Sequence, residues 1–175
     1  MAGHVSAMVF LVSQKVSLFM FKHLLLCTHG TEGAQKAEAF VFKQLTADPN
    51  LKVSVLTILD EDWRMMTGDD WLNSSKTHTA FLDHVEAQVS EEIAEEWQRI
   101  RDTYPAAAQA VFLQRTGAIA ETITRVAEKL HCDLIAIGPY QKSKGLFIHG
   151  EKGLRARIKN DTLHPLLPCP LLIAP

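Results

Sequence analysis

Short apolar runs alternate along the chain with longer stretches in which apolar residues recur every three or four positions. The short runs predict buried strands, because they are rich in β-branched residues and end at turn-forming residues. These strands are Lys22–Thr28, Lys52–Asp60, Gln109–Arg115, Asp133–Ile137 and Leu171–Ala174. The longer stretches predict helices with one buried stripe each, and they cover Ala34–Leu45, Thr77–Thr103, Ala118–Leu130 and Leu154–Leu163. Such alternation predicts an α/β fold with parallel strands and helices on both faces of the sheet.

The chain before the first strand departs from this pattern. Two apolar runs are split there by Ser13, Gln14 and Lys15, so no uninterrupted span of ~18 apolar residues is available for a transmembrane helix. The segment also lacks the small-residue cleavage site of a secretory signal. We expect residues 1–20 to be an extension outside the native domain, and residues 21–175 to be the domain. A membrane-binding or partner-binding helix is the alternative for residues 1–20.

Residues 61–76 form a polar stretch that contains Trp63, Met65, Met66 and Trp71. Three interpretations stay open for it: a lid over a pocket, a docking surface for a partner, or a cover for the sheet edge. The long helix that follows has a charged face opposite its apolar stripe. We interpret this face as solvated; its members are Asp83, Glu86, Glu91, Glu92, Glu95, Glu96 and Arg99.

Composition narrows the class of protein further. The chain has 175 residues and a net charge of −2, which suits one globular domain and argues against a nucleic-acid binder. The cysteines Cys27, Cys132 and Cys169 are too far apart in sequence for a CxxC zinc site. We expect free thiols in a reducing compartment, with Cys27 and Cys132 as small core residues. The histidines have no metal-binding spacing, so no metal is predicted.

Three segments resemble the universal stress protein family in the right order. They are His23–Gly33, Gly117–Gly138 and Pro168–Ala174, and the similarity extends over Phe21–Pro175. The resemblance implies a three-layer fold with a five-stranded parallel sheet, of the Rossmann-like, adenine-nucleotide alpha hydrolase-like type. It also implies a cytoplasmic homodimer that pairs along the last strand, since an edge strand has free backbone groups.

ATP-binding members of that family have a glycine loop of the form Gly, two residues, Gly, nine residues, Gly and then Ser or Thr. Gly138 matches the first glycine, but Gln141 and Glu151 occupy the other two glycine positions. Gly145 and Gly150 match only with a change of spacing. The sequence therefore departs from the motif at two of its three glycines.

The departures weaken phosphate binding for a physical reason. A glycine loop binds phosphate because successive backbone N–H groups converge on it with no Cβ in the way. Pro139 has no N–H, Gln141 places a side chain in the loop, and Glu151 adds negative charge. Nearby lysines can offset that charge only as flexible point charges; they are Lys142, Lys144 and Lys152.

The candidate ligand pocket lies at the carboxyl ends of the strands, where folds of this type bind their ligands. His29 stands where the family usually has an Asp after the first strand, whereas Asp60 matches the acidic end of the second. The full set of candidate contacts is Thr28, His29, Asp60, Gly138, Gln141, Gly145 and Gly150. ATP is the only cofactor that this pocket suggests, and no catalytic residue is predicted.

The sequence thus predicts a cytoplasmic universal stress protein that acts as a small binding or regulatory module in a stress response. It would have no catalytic step and no tight ATP binding. The alternative is an ATP-binding or slowly ATP-hydrolysing regulator with the same fold. A third hypothesis is docking of a protein partner through residues 63–71. Neither a nucleic acid nor a membrane is expected as a partner.

Overall fold

The computed structural model describes residues 21–59, 75–139 and 167–175. Its strands are β1 (His23–Cys27), β2 (Lys52–Leu59), β3 (Val111–Thr116), β4 (Leu134–Ile137) and β5 (Leu171–Ile173). Its helices are α1 (Glu32–Phe40), α2 (Ser75–Thr103) and α3 (Ile119–Leu130). A π-helical turn over Val41–Leu45 extends α1, and a 3₁₀ helix over Pro105–Gln109 leads into β3.

The five strands form one parallel sheet in the order β3-β2-β1-β4-β5. The central strand β1 pairs on both sides, with Leu25 opposite Ser54 on β2 and Ile135 on β4. Because all strands run the same way, their carboxyl ends meet at one edge of the sheet. The predicted five-stranded parallel α/β fold is confirmed.

Helices cover both faces of this sheet, which gives the three predicted layers. Alternation along β1 sends Leu24 and Leu26 towards α1 and α2, and Leu25 and Cys27 towards α3. On the first face the core is completed by residues of the helical segments, among them Ala37, Val41, Phe42, Leu45, Ile100 and Tyr104. On the second face it is completed by Ile123, Val126 and Ala127 of α3 and by Cys132.

The boundaries differ from the predicted ones where local capping decides them. Helix α1 begins at Glu32 rather than near Ala34, because the hydroxyl of Thr31 accepts a hydrogen bond from the backbone N–H of Ala34 at 3.3 Å. Strand β3 begins at Val111 rather than Gln109, because the residues before it form the 3₁₀ helix. Gly117 follows β3 directly and has a φ of 149°, which other residues rarely adopt.

Several predictions concern residues that the structure does not describe. The extension over residues 1–20, most of the polar stretch at 61–76 and the basic helix at 154–163 lie outside the described ranges. Within those ranges, no helix is both long enough and apolar enough to cross a membrane.

Candidate functional site

A cavity of about 420 Å³ lies at the carboxyl edge of the sheet, between the turn after β1, the end of β2 and the helix α2. The described residues that line it are His29, Gly30, Thr31, Thr57, Ile58, Leu59, Val89, Glu92, Ile93 and Glu96. This is the edge at which open α/β sheets bind ligands, and the volume suits a small molecule. His29 therefore lies on the wall of the cavity, in the region where the sequence placed the candidate pocket.

The turn after β1 gives the cavity part of its shape. Gly30 has a φ of 78°, in the left-handed region that glycine adopts without strain. A Cβ at this position would lie 3.4 Å from the carboxylate of Glu96. Any other residue would therefore strain the turn through its positive φ, although its Cβ would make only van der Waals contact with Glu96.

Gly138, the first residue after β4, lies against the start of α1. A Cβ there would lie 2.2 Å from the carbonyl oxygen of Gly33 and 2.7 Å from the backbone nitrogen of Ala34. Because the φ of Gly138 is not positive, glycine is required here by this close approach and not by the backbone conformation. Strand β4 thus ends in direct contact with the first turn of α1.

A hydrogen-bonded network connects the core to the cavity wall. Glu38 of α1 is fully buried, and its carboxylate accepts hydrogen bonds from the hydroxyl of Thr28 and from the guanidinium of Arg99. Arg99 also donates to Glu96, with its Nε 2.8 Å from Oε2 and its Nη2 2.6 Å from Oε1. The buried carboxylate of Glu38 therefore fixes the guanidinium of Arg99, and Arg99 in turn holds the side chain of Glu96 on the cavity wall.

Two sequence-based interpretations change as a result. Thr28 was expected in the ligand pocket, but its side chain is buried and bonded to Glu38, which places the hydroxyl in the core. Arg99 was assigned to the solvated face of α2, but it bridges two carboxylates. The hydrogen bond to Glu96 is the main reason that the pKa of Arg99 is raised, so the guanidinium stays charged.

The described wall of the cavity carries negative charge. Glu92 and Glu96, one helical turn apart on α2, both line it. None of the described lining residues is a lysine or an arginine. The acidic run of α2, interpreted from sequence as a solvated face, therefore contributes two carboxylates to the candidate site.

The cysteines behave as the sequence predicted. Cys27 and Cys132 are buried, and all three cysteines are free thiols. Burial raises the pKa of the Cys27 thiol far above its usual range, and it raises the pKa of Cys132 to about 12. Protonated thiols are poor nucleophiles and poor metal ligands. Within the described ranges, no group of His, Cys, Asp and Glu side chains is arranged to hold a metal ion.

The remaining candidate contacts cannot be placed in the cavity. Asp60, Gln141, Gly145 and Gly150 lie outside the described residues.

Sequence reasoning missed Glu38, although a signal was present. Glu38 lies three and four positions before the apolar residues Val41 and Phe42, so it shares their helix face, where a carboxylate needs a partner.

The parallel sheet and the cavity at its carboxyl edge place the chain among the open α/β domains, a class in which ligands bind at that edge. The sequence model of the universal stress protein family matches residues 20–147. The chain belongs to the universal stress protein family, as the resemblance of its strand and glycine segments indicated.

Solved structures share this fold at low sequence identity. The structure of hypothetical protein MJ0577 superimposes on this chain with a TM-score of 0.63 and 19% sequence identity, and the alignment covers 89% of this chain and 96% of that one. Universal stress protein UspA from Lactobacillus plantarum has a TM-score of 0.55 and 15% identity, over 88% and 97% of the two chains. A universal stress protein in complex with cAMP has a TM-score of 0.54 and 12% identity, over 87% and 96%. No curated protein sequence matches the chain.

Proposed function

We propose that this chain is a cytoplasmic binding and regulatory module of the universal stress protein family, with no catalytic step of its own and no tight binding of ATP. The observation that carries the proposal is the charge of the described cavity wall. Glu92 and Glu96 supply two carboxylates there, and no described lining residue is a cation. Arg99, behind Glu96, is shared with Glu38 and so offsets only part of this charge. Phosphates that entered this part of the cavity would be repelled.

The carboxyl end of β4 supports the same proposal. Gly138 is packed so closely on Gly33 that no side chain would fit between them. The next residue, Pro139, has no N–H to donate to a phosphate. The first residues after the strand thus contribute little to an amide cradle.

Nucleotide binding is the second candidate function, and the cavity itself favours it. A volume of about 420 Å³ at the carboxyl edge suits a ligand of nucleoside size. A protein with the same fold has been solved in complex with cAMP. On this alternative the chain would be a nucleotide-dependent regulator, and a ligand with a single phosphate would be tolerated better than a triphosphate.

Isothermal titration calorimetry of the full chain with ATP and with cAMP tests the two functions. We expect ATP to bind with a dissociation constant weaker than ~100 μM, because the carboxylates oppose it. The variant Glu92→Lys should bind ATP about fivefold more tightly than the native chain. Glu91→Lys is the matched control, since Glu91 is exposed, adjacent in sequence and not on the cavity wall.

Native affinity for ATP tighter than ~100 μM would show that the pocket accepts a triphosphate. Equal effects of Glu92→Lys and Glu91→Lys would show that the charge of the cavity wall is not what limits ATP binding.

We also propose that the protein is a homodimer paired along β5. This strand is the edge of the described sheet, and its residues are half-buried. Because the N–H of Ala174 donates to the carbonyl of Ile137 at 3.0 Å, the N–H of Ile173 points away from β4 towards the free edge. Sedimentation equilibrium should give twice the mass of the 19.5 kDa chain; a monomer would rule out this arrangement.

A further inference from the structure

A second cavity, of about 380 Å³, lies on the opposite face of the sheet between the edge strand β3 and the helix α3. Three cations line it, Arg115, Arg125 and Lys129, together with the hydroxyl of Thr122. Its apolar wall includes Leu113 and Val126. None of these residues lines the carboxyl-edge cavity, so the two cavities are separate.

The spacing of these residues explains why they converge. Leu113 and Arg115 are two positions apart on β3 and therefore point to the same face of the sheet, towards α3. The residues at 122, 125, 126 and 129 recur at helical spacing and form one stripe of α3. Because β3 is the outermost strand, α3 covers its neighbours and leaves a cleft above it.

The charge of this cleft is not neutralised within the described part of the protein. Among the described residues, the ion pairs are those that Arg99 forms with Glu38 and Glu96, on the helices α1 and α2. Arg115, Arg125 and Lys129 form no ion pair with a described residue. Glu121 and Glu128 lie on α3 as well, but they do not line the cleft. A concentration of positive charge in a protein of net charge −2 attracts anions to this position.

The floor of the cleft offers a buried hydrogen-bond donor. Thr122 is only 1% exposed, and its Oγ1 accepts a hydrogen bond from Nη2 of Arg125 at 3.5 Å. Among the described residues the hydroxyl proton of Thr122 has no acceptor, unlike that of Thr124, which donates to the carbonyl of Ala120 at 3.0 Å. A buried hydroxyl of this kind gains from an acceptor that enters the cleft.

We propose that this cleft binds a small organic anion, with its phosphate or similar group among Arg115, Arg125 and Lys129 and its apolar body against Leu113 and Val126. The guanidinium groups suit phosphate because they donate several hydrogen bonds from a planar group. The hydroxyl of Thr122 supplies a further donor at the base of the cleft.

The test is a titration of the full chain with phenyl phosphate, followed in proton–nitrogen correlation spectra. Saturable shifts should appear at the amides of Thr122, Arg125 and Lys129. Inorganic phosphate should bind more weakly, because it leaves the apolar wall uncovered. Arg125→Gln should weaken binding of phenyl phosphate about tenfold.

Arg101→Gln is the matched control, because Arg101 is an exposed arginine near the end of α2 and lines neither cavity. It should bind phenyl phosphate as the native chain does. Arg125 is exposed and its described contact with a buried side chain is the hydrogen bond to Thr122, so the spectrum of the free variant checks directly that the fold is kept. The proposal is overturned if shifts at the three amides do not saturate, if Arg125→Gln binds as tightly as Arg101→Gln, or if inorganic phosphate binds as tightly as phenyl phosphate.

Discussion

The two faces of the sheet are held together in different ways. Under α1 and α2 the apolar core surrounds a buried carboxylate, Glu38, which depends on Thr28 and Arg99 for its hydrogen bonds. Under α3 the described core is formed by aliphatic residues and cysteines, with no buried charge. The same sheet thus presents one face with a buried charge that requires a specific partner, and another whose described polar contacts, such as those of His23 with Ser54 and with the carbonyl of Leu130, satisfy no buried charge.

The difference has a consequence for the candidate site. Arg99 joins Glu38 in the core to Glu96 on the wall of the carboxyl-edge cavity, so changes in the core of that face reach the cavity. The apolar face makes no such connection in the described residues. Stability and ligand binding should therefore be coupled on the first face and separable on the second.

The largest expected effect comes from the apolar face. Ile123 is fully buried, so Ile123→Ala should lower the free energy of unfolding by about 3 kcal/mol through lost burial and an unfilled space. Urea denaturation measures the change. Thr124→Ala, at the next and half-buried position of α3, should cost less than about 1 kcal/mol. Comparable losses in the two variants would mean that this face is not closely packed around Ile123.

On the polar face, Arg99→Ala should lower the free energy of unfolding by about 2 kcal/mol. It leaves the buried Glu38 carboxylate with Thr28 alone, and unpaired buried charge is strongly destabilising. Because the Arg99 side chain is 34% exposed, water can reach part of the vacated space, which keeps the loss below that of a fully buried pair.

The matched control for this pairing is Arg101→Ala, which removes an exposed arginine from the same helix and should cost less than about 0.5 kcal/mol. Equal denaturation midpoints for Arg99→Ala and Arg101→Ala would remove the contrast between the two faces. A loss of ligand binding in Arg99→Ala alone would extend the contrast to the cavity.

A smaller effect is expected at Asp133, an ionised carboxylate outside the core. The backbone N–H groups of Lys22 and His23 donate to it at 2.7 and 3.0 Å and lower its pKa. Its contribution to stability is therefore present above the unfolded-state pKa of about 3.9 and disappears as the pH falls through the lower folded-state value. Asp133→Asn should cost a few tenths of a kcal/mol at pH 7, because solvent screens the group.

Urea denaturation of the native chain and of Asp133→Asn at several pH values between 7 and 2 checks this sign. The difference between the two proteins should shrink as the solution becomes more acidic. A difference that grows towards low pH would show that the carboxylate does not stabilise the fold in its charged form.

The reactivity of the three cysteines can be compared in the native protein, without any substitution. Burial raises the pKa of Cys132 to about 12, and Cys27 is more deeply buried, so neither thiol should ionise appreciably between pH 7 and 9. Mass spectrometry after iodoacetamide treatment of the native protein should find Cys169 labelled first, because it is the most exposed of the three. Labelling of Cys27 as fast as Cys169 would show that the apolar face opens to solvent.

Much of the fold follows from patterns that repeat over a few residues. Strand β2 and helix α3 were predicted to within one residue at each end, because their side-chain periods are clear and a turn bounds each of them. The predicted bounds of strand β3 were too early in the sequence, because the residues before it form a 3₁₀ helix whose apolar residues show no distinct period. Local spacing therefore predicts elements well and their boundaries less well.

The candidate site was only partly predictable. The position of His29 follows from strand order and the carboxyl-edge rule alone, and the structure places it on the cavity wall. The same rule placed Thr28 in the pocket, but the rule does not say which way a side chain turns at the end of a strand. Thr28 points into the core because its hydroxyl donates a hydrogen bond to the buried carboxylate of Glu38.

By itself, the sequence determined the order of strands and helices, the α/β class and the family, because these depend on short periods and on glycines at fixed places. Only the tertiary structure decided which charges meet. Arg99 and Glu38 are 61 positions apart, and their pairing arises from the packing of α2 against α1. Arg115 and Arg125 converge for a similar reason, since one lies on an edge strand and the other on the helix beside it. Contacts of this kind depend on how whole helices and strands pack against one another, and that packing cannot be predicted from the spacing of residues over a short stretch of sequence.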